Sequence, residues 1–160
     1  MMFLYADDTS ILEKISDPNT NFEKINRDLS KLHVWSQQWL VNFNPTKTKY
    51  MIFCKKLRKF DYPDLFIGNE RIQKVTKHKQ LGIIFNDKMT FDTHIEENCK
   101  KAMNRLSALQ CLGIKIPRKG RLSIYISFIR PILEFGFQLY DSSAKYLLER
   151  FERVQRQSLL

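Results

Sequence analysis

The apolar residues of this chain change their spacing once, near Phe91. Beyond it, Ile95, Cys99, Ala102, Met103, Leu106, Leu109 and Leu112 recur three and four apart, which predicts a helix over 92–112 ended by Gly113. A second helix is expected over 118–130, with Leu122, Tyr125, Ile126 and Ile129 inward, until Arg130-Pro131 kinks or stops it. A third is expected over 144–158, burying Leu147, Leu148, Phe151 and Val154. Before Phe91 the apolar runs are short. Phe3-Leu4-Tyr5 and Ser10-Ile11-Leu12 flank an aspartate pair and read as strand, tight turn, strand. Residues 20–39 read as an amphipathic helix through Phe22, Ile25, Leu29, Leu32, Val34, Trp35 and Trp39. Both tryptophans are read as core, and Asn44-Pro45 ends the helical stretch. Tyr50–Cys54 and Gln80–Phe85 read as strands, and Leu65-Phe66-Ile67 with Arg71-Ile72 as a hairpin. The pattern predicts an α+β fold: a sheet-and-helix part over 1–86, then a helical part over about 91–160. The join is expected near Asn86-Asp87-Lys88.

With 43% apolar and 28% charged residues among 160, the chain can build a core and does not read as disordered. No apolar run is long enough to span a membrane, and the first residues lack the pattern of a signal peptide. An intracellular protein, of nucleus or cytoplasm, is expected. Three cysteines without CxxC spacing argue against a disulfide framework or a zinc site. His33, His78 and His94 lie far apart, and His94 is read as a packing or capping residue. The net charge of +10 is unevenly spread. Residues 1–15 hold Asp7, Asp8 and Glu13 against Lys14 alone. Residues 100–121 hold Lys100, Lys101, Arg105, Lys115, Arg118, Lys119 and Arg121 with no acid. A polyanionic partner and a solvated basic face both fit that asymmetry.

The sharpest local signal is Tyr5-Ala6-Asp7-Asp8. A tight turn between two strands holds carboxylates where a hard cation can reach them. Nucleotide addition is an in-line phosphoryl transfer assisted by two Mg²⁺ ions about 4 Å apart, which carboxylate oxygens suit. The alternative is that Asp7 and Asp8 only make the turn.

This tetrapeptide resembles the catalytic motif of reverse transcriptases, and further segments resemble the same family in the same order. Trp35-Ser36-Gln37-Gln38-Trp39 followed by Asn42-Phe43-Asn44-Pro45-Thr46-Lys47-Thr48 and Met51-Ile52-Phe53 is similar to non-LTR retrotransposon enzymes of the jockey-like and related groups. His78-Lys79-Gln80-Leu81-Gly82 resembles their primer-grip strand. Phe91-Asp92-Thr93-His94-Ile95 resembles a helix start that carries a Trp missing here. Tyr125 with Ile129-Arg130-Pro131-Ile132-Leu133-Glu134-Phe135-Gly136 resembles another segment, and Leu148 to Arg156 a last one with shifted spacing.

The resemblance implies the later part of a reverse transcriptase palm over 1–86, followed by a helical thumb-like part over 87–160. It implies an RNA-directed DNA polymerase that uses Mg²⁺ or Mn²⁺, an RNA template, a DNA primer and deoxynucleoside triphosphates. Asp7 would be a ligand shared by both metals and Asp8 a secondary one, with Tyr5 near the primer end. Lys47 would sit by the incoming triphosphate as a general acid towards pyrophosphate; its alternative is a solvated loop lysine. Leu81-Gly82 would support the primer-grip turn; the alternative is an ordinary buried strand. Lys100, Lys101, Arg105, Arg118, Lys119 and Arg121 would face the duplex. The family's earlier metal-binding aspartate and its nucleotide-binding fingers have no counterpart before Tyr5, so a partial copy, inactive alone, is expected. A non-catalytic nucleic-acid-binding fragment and a group II intron maturase are the rival readings.

Overall fold

The computed structural model describes residues 1–54, 61–111, 117–140 and 145–159. It is a mixed α and β structure whose described strands form four two-stranded sheets. Two compact units are present: residues 1–51 with 55–75, and residues 52–54 with 76–160.

In the first unit, β1 (Met2–Tyr5) and β2 (Asp8–Ile11) pair antiparallel, with Tyr5 opposite Asp8. Helix α1 spans Pro18–Gln38. Asp17 caps it, its carboxylate accepting the Thr20 N–H at 2.9 Å, and Pro18 costs nothing in the first turn, where its missing N–H would have no helical partner. At the other end Leu40 takes φ +55°, and Val41 N–H returns to the Ser36 carbonyl at 3.0 Å. That is a left-handed helix stop with leucine where glycine is usual. The α1 face carrying Phe22 and Leu29 is buried, and α1 packs on β4 (Phe66–Ile67). The Asn26 amide fixes the pairing, donating to the Asp64 carbonyl at 2.9 Å and accepting the Phe66 N–H at 3.0 Å. β4 turns through Gly68 into β5 (Glu70–Arg71), and β3 (Lys49–Tyr50) runs parallel to β6 (Gln73–Lys74).

Two expectations fail in this unit. Trp35 and Trp39 are not core: they are 44% and 68% exposed. The buried stripe runs through Phe22, Leu29 and Ser36; Trp35 stands about a third of a turn off it, and Trp39 lies past the last helical residue. The apolar run Tyr50–Cys54 is not a strand beyond Tyr50.

The second unit opens with β7 (Lys77–Gln80) and β8 (Ile83–Asn86), an antiparallel hairpin where the sequence pattern suggested a single strand over 80–85. Leu81 and Gly82 are its two-residue turn, with φ +48° and +85°, the signs of a type I′ turn. The apolar run concealed it, because Lys77, His78 and Lys79 carry no apolar signal. The hairpin groups with the helices, so the compact units part after Val75 and not at the change of period.

Helix α2 (Asp92–Cys111) packs against α6 (Lys145–Leu159). Between them lie α3 (Arg118–Ile124), a π-turn over Tyr125–Ile129, α4 (Arg130–Glu134) and α5 (Phe137–Tyr140). Pro131 does not stop the chain. The Arg130 N–H bonds the Tyr125 carbonyl five residues back, and the widened turn accommodates the ring before α4 resumes. Tyr125, Ile129 and Leu133 form the buried stripe, with Ala102, Leu106 and Val154. Leu122 and Ile126, expected inward, are each 48% exposed, because that stripe follows the four-residue step from Tyr125. A second cluster joins Phe91, Ile95, Tyr140 and Leu147, with Ile83 and Phe85 of the hairpin against it. The expected helix stop at Gly113 lies outside the described residues.

Candidate catalytic turn and nucleic-acid interface

The aspartate pair sits where the β1–β2 hairpin reverses. Ala6 and Asp7 are the turn, and Asp8 opens β2. Ala6 has φ +51°, the left-handed region in which such turns ordinarily place glycine. A non-glycine residue held there costs free energy, and strain of this kind concentrates at functional sites. Tyr5, Asp7 and Asp8 are exposed. Two adjacent carboxylates suit a hard divalent ion, but they are too few donors for two. Among the described residues no group of three or more His, Cys, Asp or Glu is arranged to hold a metal.

Lys47 rides on a turn built by Asn44. The Asn44 carboxamide oxygen accepts the Thr46 N–H at 3.1 Å and the Lys47 N–H at 3.2 Å, and the Asn44 carbonyl accepts the Thr48 N–H at 3.0 Å. Those backbone donors are already engaged by Asn44, so an anion meeting this loop meets the exposed Lys47 side chain. Sequence reading missed Asn44 as the organiser; an Asx residue before proline was the available signal.

In the second unit Leu81 is exposed at the β7–β8 turn, with Lys77 and Lys79 exposed on β7 beside it. The two lysines were not singled out from sequence. The buried-strand alternative for Leu81-Gly82 fails, since Leu81 is 48% exposed. On α2, Lys100, Lys101 and Arg105 are exposed; Lys101 lies 3.8 Å from Glu97, and Arg105 donates to the Phe128 carbonyl at 3.1 Å. Lys119 is exposed on α3 and Arg121 half-buried. Lys115 and the Arg118 side chain lie outside the described residues. The expected site residues thus fall in two sets: the aspartates, Tyr5 and Lys47 in the first unit, and Leu81, Gly82 and the basic residues in the second.

Comparison with known proteins gives a consistent answer. The chain is 27% identical over 158 residues, 97% of its length, to the RNA-directed DNA polymerase from mobile element jockey of Drosophila melanogaster. It is 22% identical over 162 residues to the probable RNA-directed DNA polymerase from transposon BS of the same fly. It is 23% identical over 158 residues to the jockey polymerase of Drosophila funebris. The resemblance is to the reverse transcriptases of non-LTR mobile elements. It spans 17% of the length of the D. melanogaster jockey polymerase and 18% of that from transposon BS. No family model matches the chain, and no solved structure does. No helix among the described residues is long and apolar enough to cross a membrane.

Proposed function

We propose that this chain is the catalytic-turn and thumb portion of an RNA-directed DNA polymerase of a non-LTR retrotransposon, a nucleotidyltransferase inactive in isolation. The reading rests on one observation: the ordered match to jockey-type polymerases over 97% of the chain, which includes an aspartate pair at a hairpin reversal. With further carboxylates supplied from outside this chain, Asp7, and secondarily Asp8, would hold divalent ions, which would supply charge neutralisation for phosphoryl transfer. Tyr5, opposite Asp8 on the neighbouring strand, lies beside the primer end. Lys47 offers a proton to the departing pyrophosphate. Residues 1–86 serve as palm and 87–160 as thumb, with Leu81-Gly82 against the primer. Lys100, Lys101, Arg105, Arg118, Lys119 and Arg121 follow the duplex backbone. RNA template, DNA primer and deoxynucleoside triphosphates are then the partners. The acid-free stretch 100–121 favours a second reading, a nucleic-acid-binding fragment without catalysis. Primer extension on an RNA template, by a jockey polymerase carrying this chain in place of its own matching segment, separates the two.

A further inference from the structure

His94 is 1% exposed and sits where three pieces of the second unit meet. From α2 its ring reaches β8, where Nδ1 accepts the Ile84 N–H at 3.4 Å, and the turn after α4, where Nε2 lies 3.3 Å from the Phe135 carbonyl. The Asn98 side-chain amide is 3.1 Å from Nε2, and the Tyr140 ring lies against the imidazole at 5.6 Å between centroids. Both neighbouring turns close on the same place. A Cβ on Gly136 would come within 2.9 Å of Ile83, and one on Gly82 within 2.9 Å of the Phe135 ring. The imidazole therefore joins Ile84, two residues past the β7–β8 turn, to the residue whose ring packs on that turn.

We propose that His94 is a positioning residue for the Leu81-Gly82 turn, holding it to the helices through the Ile84 N–H and the Phe135 carbonyl so that the turn meets a primer strand in a fixed attitude. The functional part rests on the reading of that turn as a primer contact. The bond to Ile84 requires an unprotonated Nδ1; a protonated ring presents a second N–H to that donor, and the bond is lost. Burial lowers the His94 pKa from its ordinary 6.5, the Phe135 carbonyl raises it, Lys101 and Lys79 lower it, and Glu97 raises it. Tyr140, pushed up to about 12 by burial, stays neutral beside it. The latch is thus closed near neutrality, and acid opens it. The sign separates positioning from plain charge. An added proton near a phosphate backbone tightens binding, whereas release of the turn weakens it.

The experiment uses the whole 160-residue chain, ¹⁵N-labelled, with a fluorescent primed RNA–DNA duplex at constant ionic strength. Duplex affinity and the hairpin amide resonances of Gln80, Gly82 and Ile84 are followed as the pH is lowered from 7.5 to the onset of acid unfolding. The unmutated chain is expected to lose about fivefold in affinity on acidification, the effect of one neutral hydrogen bond, as these resonances shift together. His94→Gln, which accepts and donates without titrating, should keep the neutral affinity and show no such pH step. His94→Phe should bind about fivefold more weakly at pH 7.5. In a Lys79→Ala background, with the turn's contact already weakened, His94→Phe should cost less. His33 and His78 are present in every variant, so the comparison isolates His94. If His94→Phe does not fold, the pH titrations of the unmutated chain and His94→Gln decide alone. Hairpin resonances that ignore both pH and the His94 substitutions overturn the positioning role, whatever the duplex does. Resonances that move while affinity stays constant overturn the primer-contact reading and, with it, the functional inference.

Discussion

The ring of Phe135 occupies the space that a side chain on Gly82 would need: a Cβ there would lie 2.9 Å from Phe135 Cε1. Gly82 also has φ +85°, where a Cβ is strained whatever the space. Gly82→Ala is expected to destabilise the chain by about 1–2 kcal/mol, through the backbone and the displaced ring together. Urea unfolding checks this. A midpoint unchanged from the parent would mean that the turn does not hold this geometry.

The β1–β2 hairpin predicts association. Phe3, Leu4 and Tyr5 are 52%, 69% and 67% exposed, and among the described residues β1 pairs with β2 alone in a two-stranded sheet. An exposed apolar edge templates pairing with another chain. Sedimentation velocity should show association that rises with concentration and is relieved in Leu4→Lys. A clean monomer at high concentration for both proteins would count against it.

How far these features could be read in advance differed from place to place. Helices α2 and α6 were legible because their buried side chains repeat at the helical step: Ile95, Ala102, Leu106, Leu147 and Val154 are all buried as spaced, whereas Leu122 and Ile126 of the stretch between them are not. The β7–β8 hairpin was not, because its turn hides in a continuous apolar run and its first strand is Lys-His-Lys-Gln. Tryptophan identity misled at Trp35 and Trp39, where helical phase and the end of α1 decide burial. The aspartate turn was legible as a local motif. The Asn44 turn under Lys47 and the His94 junction were not, since both depend on hydrogen bonds that spacing does not encode.

Binding by the basic helices should depend steeply on salt and little on sequence, because phosphate contacts carry no base information. About four contacts on duplex DNA give a log–log slope near −3 to −4. Arg118→Ala and Lys119→Ala should each reduce that slope by about one unit and weaken all sequences alike, while Lys14→Ala should not. A fluorescent-duplex salt titration reads this directly. Equal losses in all three variants would mean that net charge alone drives binding.

The catalytic assignment is tested most directly by primer extension on an RNA template with Mg²⁺, using a jockey polymerase in which this chain replaces the matching segment. The unmutated chimaera is expected to extend the primer. Asp7→Asn should abolish extension almost completely, Asp8→Asn should reduce it less, and Lys47→Ala should slow the chemical step about 100-fold or more with primer binding unchanged. Small, equal effects at Asp7 and Asp8 in an active chimaera would show that the pair only makes the turn, and would contradict the account.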